Sequence, residues 1–489
     1  MSTLLQRRNK WIHYLLSNDI YKWWALAVVQ LSILLVGVDS TITNLALPDI
    51  TKSFEVNVTT SEWVISIFFI AVALALPAAG RFSDIFGRRS VFVSGFALFT
   101  VASALCGLAP NIYVLIFMRA IQGFGGAALL ANSNVISLAV FPLKQHGLAL
   151  GINGTVYSIG YALGFTLGGQ LIHSFGWRSI FYLNVPTGLL AICLGLFILD
   201  ESLLQAQANN NSHNFSFDIQ GFIFSAIGIG GTMAAVVMLT SAKSFSYPLL
   251  SLLILGIISL FLFVFVELRN KSPLLDVKLF KIIEFSRGAL TRLLNNAIVA
   301  SCTFAIPFFT QTVLKFTAFQ SGLIMLPYAL GLAIVGPISG RLSDRYGPRW
   351  LTTLGFISGG VSLIWLNSIG GSTHSSVHVS PMIFKTIIAM FLLGSASGLF
   401  VSPNNSASLD AVPLNRTGTA SGVIWSVSFI GSAFGTAYGA AILHNVLSGD
   451  VSSMNYLRVQ SFLFQTLIIL SFVGAFLCYT RSKSSKKLA

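Results

Sequence analysis

The sequence predicts an all-α polytopic membrane protein with about fourteen spans. Charged residues are 9% of the 489, and apolar residues are 54%. A soluble domain is roughly 25% charged, so this chain has too few charges to coat a water-soluble globule of its size. The apolar residues are also gathered into stretches of about 20, the length a helix needs to cross a hydrocarbon core. A mean hydropathy of +0.80 agrees with both. Together these exclude a soluble enzyme, a disordered chain and a nucleic-acid-binding domain. The net charge of +14 would suggest nucleic acid on a soluble chain, but here it reads as orientation and lipid contact.

The chain opens with Arg7, Arg8 and Lys10, then the broken apolar stretch Trp11–Leu16 and the polar Ser17-Asn18-Asp19. That is no cleavable signal; it reads as an anchor for the first span. The first six spans are expected near Trp23–Leu47, Trp63–Gly80, Ser90–Leu108, Ile112–Ser133, Leu148–Ile172 and Phe181–Leu199. After the Asn-rich segment Gln205–Phe217 come two more, Ile219–Thr240 and Pro248–Glu267. The last six are Phe285–Phe309, Ser321–Gly340, Trp350–Ser368, Met382–Pro403, Thr417–Leu443 and Ser461–Tyr479. With the N-terminus inside, 21 of the 29 Lys and Arg lie on the inner side and six on the outer, with Arg119 and Arg292 within spans. By the positive-inside rule this places both termini in the cytoplasm and favours an even span count. The four cysteines sit in apolar runs, with no disulfide or metal spacing.

Part of the chain repeats. Gly80-Arg81-Phe82-Ser83-Asp84-Ile85-Phe86-Gly87-Arg88-Arg89 recurs 260 positions later as Gly340-Arg341-Leu342-Ser343-Asp344-Arg345-Tyr346-Gly347-Pro348-Arg349. Gly147-x-Ala149-x-Gly151 recurs 271 positions later as Gly418-x-Ala420-x-Gly422, and Gly160, Gly164 and Gly168 recur as Gly431, Gly435 and Gly439. Spans one to six therefore repeat as nine to fourteen. The expected division is 1–200, a six-span half; 201–284, two inserted helices with linkers; and 285–489, a second half with a basic tail. Two parallel six-span halves are the arrangement of the major facilitator superfamily, which the chain resembles.

The two repeated loops resemble that superfamily's cytoplasmic signature, Gly-x-Leu-Ala-Asp-x-x-Gly-Arg-Lys. Glycines suit the tight turn between two helices, and Asp84 and Asp344 suit the positive end of a facing helix near Thr417 or Gly147. Gly80, Asp84, Gly87, Arg88, Gly340, Asp344 and Gly347 are thus the expected cytoplasmic gate. Asp39 reads as the one acidic residue inside a span, where a carboxylate is costly and functional by default. Its setting, Val38-Asp39-Ser40-Thr41-Ile42-Thr43-Asn44-Leu45-Ala46-Leu47-Pro48, resembles the first-helix motif of the fourteen-span drug:proton antiporters. Arg119, in Arg119-Ala120-Ile121-Gln122-Gly123, resembles the superfamily's fourth-helix motif. Asp39 is nine residues from Pro48 and Arg119 nine from Pro110, so both lie roughly 13 Å deep, at a depth that permits a pair.

Gly160, Gly164, Gly168 and Gly169 line the fifth span and permit close helix approach. This resembles the antiporter motif, which has Gly-Pro where this chain has Gly164-Phe165. Asn44, Gln122, Tyr157, Tyr161 and Trp425 are the candidates for a substrate cavity. Arg292 reads as a side chain reaching to the cytoplasmic surface. No catalytic or metal motif is present, and neither Walker loop nor cofactor is expected. The resemblance implies an inner-membrane exporter of amphipathic or cationic small molecules, driven by inward protons. In it Asp39 takes the proton and Arg119 tunes it, with lipid around the protein and a periplasmic adaptor as a partner open to such exporters. The alternatives are a dedicated exporter of a lipid, siderophore or metabolite, and a non-transporting sensor or scaffold.

Overall fold

The computed structural model describes residues 20–205, 218–241, 247–270, 273, 275–370, 379–413, 416–447 and 453–481. The expectations for Arg7, Arg8 and Lys10, for the Asn-rich segment and for the basic tail lie outside those residues.

Among the described residues there are fourteen long helices and no strand. They are α1 (Tyr21–Ser53), α2 (Val58–Phe86), α3 (Arg88–Gly107), α4 (Ile112–Val140), α5 (His146–Phe175), α6 (Ser179–Ile198), α7 (Ile219–Ser241), α8 (Tyr247–Arg269), α9 (Ile283–Phe308), α10 (Ala318–Tyr346), α11 (Pro348–Gly370), α12 (Val379–Asp410), α13 (Thr417–Leu447) and α14 (Ser453–Tyr479). Thirteen are long and apolar enough to cross a membrane, and the remaining one, α7, carries the shorter apolar stretch Ile219–Ala235. The protein is an integral membrane protein of helical bundle type.

Local signals set the helix ends. The Asn57 side chain accepts from the Thr60 N–H and starts α2, and Asn111 does the same for α4 through Val114. Thr317 and Gln320 form a capping box at α10. The two repeated loops turn at Gly87 (φ 93°) and Gly347 (φ 82°), a backbone that side chains resist. The Glu201 carboxylate accepts from the N–H groups of Arg88 and Arg89, at 2.8 and 2.9 Å, and so caps α3 with an anion where the helix dipole favours one. Several helices run past the expected spans, among them α1, α2, α4, α10, α12 and α14. Helix α1 continues through Pro48 to Ser53, because a proline near a helix end in a membrane is tolerated. Helix α2 begins at Val58 rather than Trp63, which brings Glu62 inside it.

Helix α1 packs on α5, α4 and α6, and α9 packs on α13, α12 and α14. The first six and last six helices meet through α2 on α13 and α5 on α10, while α7 and α8 pair with each other and touch α13 and α2 through α7. Large apolar side chains on α8, such as Leu255, Ile257 and Phe261, are exposed, as lipid-facing residues are.

The two ends of the bundle differ. On the face away from the repeated loops, Gln311 Nε2 donates to the Leu45 carbonyl at 3.0 Å. There a Cβ added at Gly169 would come within 2.9 Å of Phe319 Cα, and one at Gly322 would strike the Phe165 carbonyl. On the loop face, Gly147, Gly151 and Gly154 have nothing within 4 Å of such a Cβ. They stand on the same stripe of α5 as Tyr161, by the seven-residue step. The first six and last six helices are thus in contact at the face away from the loops, while open space lies beside this stretch of α5 at the loop face.

Candidate functional site

At the centre of α1, Asp39 is 1% exposed, as is Arg119 on α4. Arg119 Nη1 donates to Asp39 Oδ2 at 2.6 Å. The other carboxylate oxygen accepts from Gln122 Nε2 at 3.0 Å and from Asn184 Nδ2 on α6 at 3.2 Å. Ser103 on α3 accepts from both amides, at 3.3 and 3.0 Å. Arg119 Nε donates to the Val64 carbonyl of α2 at 2.9 Å, and the guanidinium lies 4.3 Å from the Phe68 ring centroid. Two ions are thus buried together, with hydrogen-bond partners drawn from five helices. Desolvating such a pair is expensive and repaid only by geometry of this quality. Asn184 and Ser103 were not singled out in the sequence. Asn184 could have been found as an amide within the apolar span Phe181–Leu199.

A second buried carboxylate corrects the reading of Asp39 as the one acidic residue in a span. Glu62 is 0% exposed on α2. Ser66 Oγ donates to it and lies 2.9 Å from Thr436 Oγ1 on α13. Glu62 Oε2 has no hydrogen-bond partner, and among the described residues no Lys or Arg pairs with Glu62.

The aromatic candidates come together. Tyr157 and Tyr161 on α5 have ring centroids 5.1 Å apart, Trp425 on α13 is 5.8 Å from Tyr157, and Tyr328 on α10 is 6.5 Å from Tyr161. Gln122 belongs instead with Asp39 and Arg119. Asn44 is buried on α1, with its amide donating to the Ser40 carbonyl at 3.1 Å. Arg292 does not reach to the surface. It is 6% exposed and donates through Nε to Ser428 Oγ at 2.7 Å, with its guanidinium 6.0 Å from the Trp425 centroid.

In the first repeated loop, Asp84 lies 3.9 Å from Arg88 of the same loop, and Gly80 has open space beside it. Asp344 is exposed, and a Cβ at Gly340 would approach Ser402 Oγ to 2.8 Å. The glycines of α5 form a seam. Gly160 lies against Gly37 and Leu34 of α1, Gly164 against Thr41, Gly168 against Ile42, and Gly169 against Ala318 and Phe319 of α10. The space beside Gly160 and Gly164 is therefore taken by α1. Phe165 is fully buried in the same helix.

The sequence model of the Major Facilitator Superfamily matches residues 30–219 and 218–436. The chain is 32% identical over 427 residues to the multidrug resistance protein Stp of Mycobacterium tuberculosis (strain CDC 1551 / Oshkosh), covering 87% of this chain and 76% of that protein. It is 28% identical over 420 residues to the riboflavin transporter RibZ of Clostridioides difficile (strain 630), covering 85% and 87%. It is 27% identical over 421 residues to the multidrug transporter protein MdtP of Bacillus subtilis (strain 168), covering 85% and 74%.

Proposed function

The chain belongs to the major facilitator superfamily, and from that premise we propose that it is a proton-coupled secondary exporter of amphipathic small molecules, working by alternating access. The observation that carries this is the sealed Asp39–Arg119 pair at mid-membrane. A proton arriving on Asp39 removes the charge that holds Arg119 and weakens the charge-assisted bonds from Gln122 and Asn184, which are roughly twice as strong as neutral ones. Helices α1, α4 and α6 then lose the anion that ties them together. Contact between the two sets of helices at one face, with open space beside α5 at the other, supports a reading in which the pair works between two alternating states.

The distribution of basic residues supports a cytoplasmic loop face, cytoplasmic termini and a plasma (inner) membrane. The loop face is then the cytoplasmic one, where an exporter collects its load. A relative named for multidrug resistance and another named as a multidrug transporter support the export reading. Protons, a small-molecule substrate and membrane lipid are the partners of this reading, and a periplasmic adaptor would join at the closed face. The gate role of the repeated loops and the two-half division belong to the same proposal. A dedicated carrier of one metabolite is the second reading, favoured by the relative named as a riboflavin transporter and by Phe165 standing where the antiporter motif has proline.

The test is substrate-induced proton flux in proteoliposomes. Coupled flux that disappears in Asp39→Asn supports the reading, and undiminished flux in that variant excludes Asp39 as the coupling site. Comparing compounds retained by deletion and overexpressing cells separates many substrates from one.

A further inference from the structure

Inside the bundle, the cations and anions do not balance locally. Asp39 and Arg119 neutralise each other. Arg292 is different: among the described residues no carboxylate pairs with it, and its Nη1 is buried with no hydrogen-bond partner. Its one polar bond runs from Nε to Ser428. Glu62 does not reach it, since the Ser66–Thr436 contact lies eight residues further along α13 than Ser428, roughly 12 Å at the helical rise. A guanidinium carries five donors and no acceptor. Buried and without a counter-charge, it is costly, and a bound anion would offset that cost.

The surroundings have a shape suited to one. Arg292 on α9 faces Trp425 on α13, whose ring stands 5.8 Å from that of Tyr157, and the ring contacts continue through Tyr161 to Tyr328. These residues come from α5 and α10 as well, the pair of helices in contact at the face away from the repeated loops. Flat rings on several sides stack on a flat ligand, and hydroxyls donate to its oxygens. We propose that Arg292 is the anion-recognition point of the transport cavity, and that the substrate joins an aromatic frame to a carboxylate, sulfonate or phosphate. The proposal rests on the exporter reading and narrows it: a purely cationic drug would meet an uncompensated guanidinium.

The experiment uses two probes on one xanthene frame, anionic fluorescein and cationic rhodamine 6G. Binding to the purified full chain in nanodiscs is followed by fluorescence anisotropy for wild type, Arg292→Gln and Arg292→Lys. Wild type is expected to hold fluorescein more tightly than rhodamine 6G. Arg292→Gln should weaken fluorescein roughly 10- to 100-fold, the range for a lost charged hydrogen bond, while rhodamine 6G binds at least as well as before. Retained rhodamine binding shows that the variant is folded. Arg292→Lys, which keeps the charge but not the fork, should fall between. Equal fluorescein affinity in wild type and Arg292→Gln overturns the proposal. So does a wild-type preference for rhodamine 6G, failure of wild type to bind fluorescein, or equal loss of both dyes in Arg292→Gln. Proton-coupled transport that persists with a rhodamine preference would sink the anion site alone. Absence of coupled transport of any compound would sink the exporter reading, whatever the dyes bind.

Discussion

Replacing Asp39 by Asn tests more than coupling. The carboxylate accepts three hydrogen bonds, from Arg119 at 2.6 Å, Gln122 at 3.0 Å and Asn184 at 3.2 Å. An asparagine offers one acceptor oxygen and turns an NH₂ toward donors. At best it keeps one or two of the three bonds, and it leaves Arg119, 1% exposed, without a counter-charge. Breaking a buried pair by removing one partner costs about 3–5 kcal/mol. Asp39→Asn is therefore expected both to abolish proton-coupled transport and to lower thermal stability. The double variant Asp39→Asn, Arg119→Gln removes both charges, and neutral replacement of a buried pair is often neutral or stabilising. It should recover most of the lost stability and none of the transport. Thermal unfolding in detergent and proton flux in proteoliposomes separate the two effects. Single and double variants that melt alike would refute the argument that the unpaired guanidinium is the source of the cost. A double variant that transports would refute the proton role.

Glu62→Gln is expected to behave in the opposite way: the amide can still accept from Ser66 and no basic partner is stranded, so the melting temperature should hold or rise. A fall as large as that of Asp39→Asn would contradict the reading of Glu62 as an unpaired carboxylate. Phe165→Pro orphans the Tyr161 carbonyl, but Thr41 Oγ1 already reaches that oxygen at 3.3 Å, so the backbone cost is softened. The buried ring is lost, at up to about 3–5 kcal/mol, and the variant should express poorly and leak protons more than wild type. Full stability would show that the helix bends where the structure has it packed. Asp84→Asn should raise the population open at the loop face if the carboxylate latches a facing helix in the other state. The helix-end attraction is worth ~0.3–1 kcal/mol and up to ~2, which is up to about 30-fold. Unchanged cross-linking of cysteine pairs at the two faces would remove the latch.

The sequence was most legible where physics leaves few choices. Scarce charge and spans of about 20 apolar residues allowed only a helical bundle, and the repeated loop pointed to a sharp turn at Gly87 and Gly347, where φ is positive in both. Equal depth brought Asp39 and Arg119 into one layer. Glu62 was hidden because Thr59-Thr60-Ser61-Glu62 reads as a polar loop. The readable clue was Asn57, which caps a helix that starts before them. Arg292 was misread because sequence position gives depth but not direction. Its course is set by Ser428 and Trp425, more than 130 residues away. The glycines of α5 marked a surface for close helix approach but not which helices would take it, since their partners on α1 and α10 lie far away in sequence.

The closed face is sealed largely by main chain. Gly169 rests on the backbone of Ala318 and Phe319, Gly322 on the carbonyl of Phe165, and Gln311 holds the carbonyl of Leu45. Main-chain atoms are common to every residue type, so beyond the two glycines and Gln311 the seal is indifferent to most of the side chains around it. On the proposed function, mutational drift can recolour the aromatic cluster of Tyr157, Tyr161 and Trp425 without loosening that barrier. The architecture thus uncouples what is carried from how the path is shut, and a lineage can change its cargo while inheriting its door.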